Sequence, residues 1–108
     1  GFGSILIGSP ANLTAISSST IALANPLQND GTLSVNANDV SNATNADVNL
    51  TVDGMIAGSG TIRLTSGVLG ANAILTANGG FDSSERTIDS VGTAGARIIG
   101  GADFTYAG

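Results

Sequence analysis

Leu50-Thr51-Val52-Asp53-Gly54-Met55-Ile56-Ala57 sets an Asp-Gly pair between two short apolar runs. A two-residue Asp-Gly loop reverses a chain into a hairpin, which would pair Val52 with Met55 and Leu50 with Ala57 on one face. Upstream, Leu27-Gln28-Asn29-Asp30-Gly31-Thr32-Leu33 fits a three-residue loop ending in glycine, a type I turn followed by a left-handed bulge, with Leu27 opposite Leu33. Hairpins imply antiparallel strands.

Working outward from these two turns, short runs rich in Val, Ile, Leu and Thr recur between clusters of Gly, Asn, Asp and Ser. Strands are expected at Ser4 to Ile7, Thr20 to Ala24, Thr32 to Ala37, Val48 to Val52, Met55 to Ala57, Thr61 to Thr65, Ala73 to Thr76, Arg97 to Ile99 and Asp103 to Tyr106. One segment carries two signals. Ser9-Pro10 reads as a helix start, with Leu13, Ile16, Thr20, Ile21 and Ala24 at helical spacing before Pro26. Against a helix stands Ser17-Ser18-Ser19-Thr20, a poor helix interior, so strands at Leu13 to Ile16 and Ile21 to Leu23 are preferred. The expected fold is an all-β, antiparallel β-sandwich of jelly-roll type, with a short β-solenoid as the alternative.

At 108 residues the chain has room for one domain, 1–108, with 1–9 a candidate extended arm. Only 10% of the residues are charged and 4% aromatic, while Gly is abundant at 16. The surface is therefore rich in hydroxyls and amides, whose burial in a contact costs far less than that of Lys or Glu. The net charge is -5 and the cations are Arg63, Arg86 and Arg97, which argues against nucleic acid as a partner. No apolar run approaches the roughly 20 residues that a membrane-spanning helix needs, so membrane insertion is not expected. The chain opens at Gly1 without a basic, Leu-rich leader, which leaves a cleaved leader, a trimmed initiator Met and a cut chain all open.

Two echoes recur inside the chain. Asp30-Gly31-Thr32-Leu33-Ser34-Val35 resembles Ser59-Gly60-Thr61-Ile62-Arg63-Leu64 at an offset of 29 residues, and Gly79-Gly80-Phe81-Asp82 resembles Gly100-Gly101-Ala102-Asp103 at 21. No single period joins them. The run Val48-Asn49-Leu50-Thr51-Val52-Asp53-Gly54-Met55-Ile56-Ala57-Gly58-Ser59-Gly60-Thr61-Ile62-Arg63-Leu64-Thr65-Ser66-Gly67 resembles a coil of a bacterial adhesin or autotransporter passenger β-helix. Leu27 to Val35 is a fainter instance, and together they cover about a third of the chain. The resemblance implies a secreted, non-catalytic, surface-attached protein with a parallel β-solenoid.

With no His, Cys or Lys, the relays that activate a nucleophile through an imidazole, thiol or amine have no residues to run on. Only carboxylates remain. Asp82, Glu85 and Asp89 form one local acidic cluster with Arg86 inside it. A glycosidase pair would need a cleft lined with aromatic residues, and three Phe and one Tyr cannot line one. The expectation is no enzyme and no cofactor, with calcium at Asp82, Glu85 and Asp89 the one metal candidate and plain turns the preferred reading.

The uncharged N-terminal segment places Phe2 and Leu6 on one side of an extended strand and Ile5 and Ile7 on the other. These four residues are the candidate assembly site, either added as a strand to a neighbour's sheet edge or used as a first strand at home. The expected function is a structural subunit of an extracellular filament or adhesin, with copies of itself and other surface or capsid proteins as partners. A virus capsid decoration or coat protein on the virion surface, and a small glycan- or calcium-binding module, are the alternatives.

Overall fold

The computed structural model describes residues 4–23, 25–40, 42, 45–67, 69–92, 94–100 and, for the backbone alone, 104–107. Its twelve strands are β1 (Ile5–Ile7), β2 (Asn12–Ala15), β3 (Ser19–Ile21), β4 (Leu27–Asn29), β5 (Thr32–Asn36), β6 (Val48–Val52), β7 (Ile56–Ala57), β8 (Thr61–Thr65), β9 (Ala73–Ala77), β10 (Thr87–Val91), β11 (Ala96–Gly100) and β12 (Phe104–Ala107). No helix occurs among the described residues, so the segment with two signals resolves into β2 and β3.

The sheets correct the expected topology. The first has the order β1-β4-β7, the second β10-β8-β5-β2 and the third β12-β11-β9-β6-β3. Each pairing is parallel except that of β11 with β12. The chain visits the three sheets in turn and then repeats, which makes a β-solenoid rather than an antiparallel sandwich. Coil one is β1-β2-β3, coil two β4-β5-β6 and coil three β7-β8-β9. Coil four begins at Phe81, bridged to Ile56, and continues through β10 and β11.

Both expected hairpins are corners of this solenoid. Leu27 pairs with Ile5 and Ile56, not with Leu33, whose partners are Leu13 and Ile62. Val52 pairs with Ile21 and Ala77 rather than Met55. The reason lies in what glycine does at Gly31 and Gly54. Neither has the positive φ that a type I′ turn or a left-handed bulge requires. A Cβ on Gly54 would lie 2.6 Å from the carbonyl oxygen of Asn25, and one on Gly60 2.5 Å from that of Gly31. Glycine stands at these corners because one coil's backbone runs directly over the next, at the strand spacing of about 4.8 Å.

Side chains alternate inward and outward along each strand. The inward ones stack into columns such as Leu13-Leu33-Ile62-Ile88 and Leu50-Leu75-Ile98, and all three sheets share one core cluster. Inward Leu27, Leu33, Val35, Leu64, Leu75 and Ile98 are fully buried. On the second sheet Asn12-Thr32-Thr61-Thr87 forms a polar outward column.

The corner glycines are open to a direct test. Gly60→Ala should destabilise the fold by about 1–3 kcal/mol in urea unfolding, because the added methyl meets backbone rather than a yielding side chain. Gly8→Ala, where nothing lies within 4 Å, should stay within about 0.5 kcal/mol of the parent.

Candidate functional site

Three regions gather functional groups: the outer face of the second sheet, the start of coil four, and the exposed face of coil one. On the outer face, four coils place Asn12 and Thr14, Thr32 and Ser34, Thr61 and Arg63, and Thr87 and Asp89 side by side. They line a shallow groove of about 620 Å³. Arg63 Nη2 lies 2.8 Å from Asp89 Oδ2 and Nε donates to the same oxygen at 2.9 Å. Both side chains are substantially exposed, so the pair contributes at most about 1 kcal/mol. The groove thus offers hydroxyls, amides and one ion pair already closed on itself.

At the start of coil four the chain leaves the first sheet after Phe81 and does not form a strand there. At that bridge Ile56 N donates to Gly80 O at 2.9 Å and Ile56 O accepts from Asp82 N at 3.1 Å, and a side-chain clasp holds the segment in place. Arg86 donates from Nη2 to the Asp82 carboxylate, to Asp82 O at 3.1 Å and to Ser84 O at 3.0 Å, and from Nη1 to Ile56 O at 3.5 Å. Its guanidinium lies 4.7 Å from the centroid of the Phe81 ring, a cation–π contact. Asp82 in turn accepts from Gly58 N at 3.3 Å, Ser84 N at 3.1 Å and Ser84 Oγ at 2.8 Å. Desolvation pushes the Asp82 carboxyl up, but the hydrogen bonds from Ser84, Gly58 and Arg86 outweigh it and hold it below its ordinary value of 3.8.

This geometry separates the three acids read as a calcium candidate. Asp82 is engaged by Arg86, Asp89 by Arg63, and Glu85 points to solvent. Among the described residues no group of three or more acidic side chains comes together to hold a metal ion. The sequence signal that points to the clasp is Arg86 itself, a cation four residues after Asp82 in a chain with three cations.

Of the candidate assembly residues, Phe2 lies outside the described residues. Ile5, Leu6 and Ile7 form β1, paired along one edge with β4, so the segment is a first strand in its own sheet. Ile7 is buried and Ile5 packs against the core, whereas Leu6 faces outward and is 69% exposed. The other edge of β1 has no partner in its sheet, and the same holds for β2 and β3. Among the described residues coil one therefore shows three unpaired strand edges on one face, with Leu13, Ala15, Ile21 and Leu23 only partly buried beneath them. No charged side chain occurs anywhere in residues 1–29.

The clasp predicts an acid-sensitive coil four. A carboxyl with a lowered folded-state pKa contributes stability above its unfolded value and loses it as the pH falls through the folded one. Thermal unfolding should therefore show Tm falling below about pH 4, and Asp82→Asn should lower Tm at neutral pH and flatten that fall. Arg86→Ala should lower Tm by several degrees at neutral pH, since it takes the guanidinium from the Asp82 carboxylate and from the carbonyls of Asp82 and Ser84.

No protein-family model matches this chain, and comparison with curated proteins and with solved structures finds no match.

Proposed function

We propose that the chain is a non-catalytic structural segment of an extracellular surface assembly, a length of solenoid that builds by strand pairing. The observation that carries this reading is the exposed face of coil one. Three unpaired parallel edges, half-covered apolar columns and no charged side chain describe a surface that gains by contact with more polypeptide.

Further support comes from the outward faces. The second sheet carries a neutral column, Asn12-Thr32-Thr61-Thr87, and its Arg63 and Asp89 are paired with each other. Such faces pack against neighbours at low desolvation cost. The parallel solenoid also agrees with what the resemblance of residues 48–67 to adhesin and autotransporter coils implies.

Light scattering on a concentration series should show oligomers whose population rises with protein concentration. Because the contact is uncharged, it should persist from low to high salt. A monodisperse monomer at every concentration would end this reading.

A further inference from the structure

We infer that the outer groove of the second sheet binds a neutral oligosaccharide, laid along the solenoid axis over coils two to four, with two adjacent hydroxyls of one sugar on the Arg63–Asp89 pair. The site consists of Thr32, Ser34, Thr61, Arg63, Thr87 and Asp89. None of these stands in coil one, so the inference is independent of the assembly reading above.

The first ground is a sunken hydroxyl. Ser34 alternates with inward Leu33 and Val35 and so faces outward, yet it is only 8% exposed. A polar side chain at that depth is ordinarily hydrogen-bonded. Among the described residues the Ser34 hydroxyl has no such partner, and it lines the groove, from which one can be supplied. The hydroxyls of Thr32, Thr61 and Thr87 beside it are likewise unengaged by protein among the described residues.

The second ground is how the ion pair closes. Arg63 reaches Asp89 through Nε and Nη2, both directed to Oδ2. The charges are thereby neutralised, while Arg63 Nη1 and Asp89 Oδ1 have no partner among the described residues. A donor and an acceptor thus stand side by side. A vicinal diol answers them: one hydroxyl accepts from Nη1 and its neighbour donates to Oδ1. An anion would instead have to displace Asp89 from Arg63.

The third ground is what the groove refuses. The protein carries -5 and Arg63 is the one cation lining the groove, so phosphate, sulfate and uronate are repelled. A peptide finds no strand edge there, because β5 and β8 are bonded on both sides. The lining contains no aromatic residue on which an apolar ligand could settle. What fits is a ligand made of hydroxyls. The Thr32-Thr61-Thr87 and Ser34-Arg63-Asp89 columns run side by side, about 6.6 Å apart in steps of about 4.8 Å. Consecutive sugars of an extended β-linked chain advance by nearly one coil step, so each sugar meets one member of both columns. The groove's volume of about 620 Å³ accommodates a short saccharide.

The test is a chemical-shift titration of the isotope-labelled full chain. Cellotriose, mannotriose and chitotriose are the neutral probes, and trigalacturonate and a heparin oligosaccharide the anionic ones. At least one neutral probe should shift the amides of β5, β8 and β10 with millimolar affinity, since no ring stacks on the sugar, and the anionic probes should leave them in place. Arg63→Gln should weaken binding by about tenfold or more, and Ser34→Ala by about threefold. Neither change removes a buried bond, so both variants should keep the parent spectrum outside the groove. Arg97→Gln, an outward change on the third sheet, should bind as the parent does. No shift from any neutral probe, preference for an anionic one, shifts confined to another face, or binding indifferent to both groove variants would overturn the inference.

Discussion

Everything in this fold depends on one spacing. Parallel strands stack about 4.8 Å apart, so every residue at a corner sits directly beneath the corner of the next coil. Gly60 under Gly31, and Gly79 against the Gly54–Met55 peptide, are places where that distance leaves no volume for a side chain. Where a corner is wider, side chains stitch it. Asp47 Oδ1 accepts from Asn72 N, and Asn72 Oδ1 accepts from Gly95 N, so one polar ladder ties three coils at the turn into the third sheet. Asn42 closes the longest turn by bonding Ala37 O and Ala46 O through Nδ2 while its Oδ1 accepts from Ala46 N. The abundance of Gly and Asn in the sequence is the compositional trace of these corners.

The same spacing governs what the surface can carry. Outward residues of consecutive coils stand one strand apart, close enough that a column of like charges would repel at every step. The second sheet resolves this with Thr in three consecutive coils, and with Ser34-Arg63-Asp89 as a column whose two charges neutralise each other. Low charge is thus a requirement of the stacking as well as a property that suits assembly. The core follows suit. Columns of Leu, Ile, Val and Ala fill the space between the sheets, and the small Val48-Ala73-Ala96 column lines the third sheet near its turns.

This explains which parts of the structure are legible in the sequence. Strand-forming segments stand out because alternation is a local property, and Thr32 to Ala37, Val48 to Val52 and Thr61 to Thr65 all contain observed strands. Topology is harder to read, since Asp-Gly marks a hairpin and a solenoid corner alike. The two differ in the sign of φ and in what passes overhead, and neither is written in eight residues. The offset of 29 residues between Asp30–Val35 and Ser59–Leu64 is the true coil register, with Thr32 on Thr61 and Leu33 on Ile62. It fails to recur because the turns from the second sheet to the third vary, from 37–47 in coil two to 92–95 in coil four. In the second echo Gly100 pairs with Ala77 rather than with Gly79. Thr87–Val91 carries two apolar residues in five and is a strand because β8 offers it an edge. Asp82, Glu85 and Asp89 cluster in sequence but not in space, since Asp82 lies in the clasp and Asp89 lies on β10.

A solenoid resolves its middle automatically, since each coil is covered by two others, and concentrates its unsolved physics at the ends. Coil one and coil four differ in this respect. In coil four β12 runs antiparallel along the edge of β11, while the backbone of Gly80 and Asp82 bonds Ile56 of β7 and the Asp82–Arg86 clasp holds that bridge. In coil one neither device appears among the described residues. The columns reach coil one with their inward residues half covered, and the surface around them is stripped of charge. Charge is the cheapest means of keeping a strand edge from pairing. Within this sequence every ionic residue follows position 29, so coil one, whose outer strand edges are unpaired among the described residues, carries none of that protection.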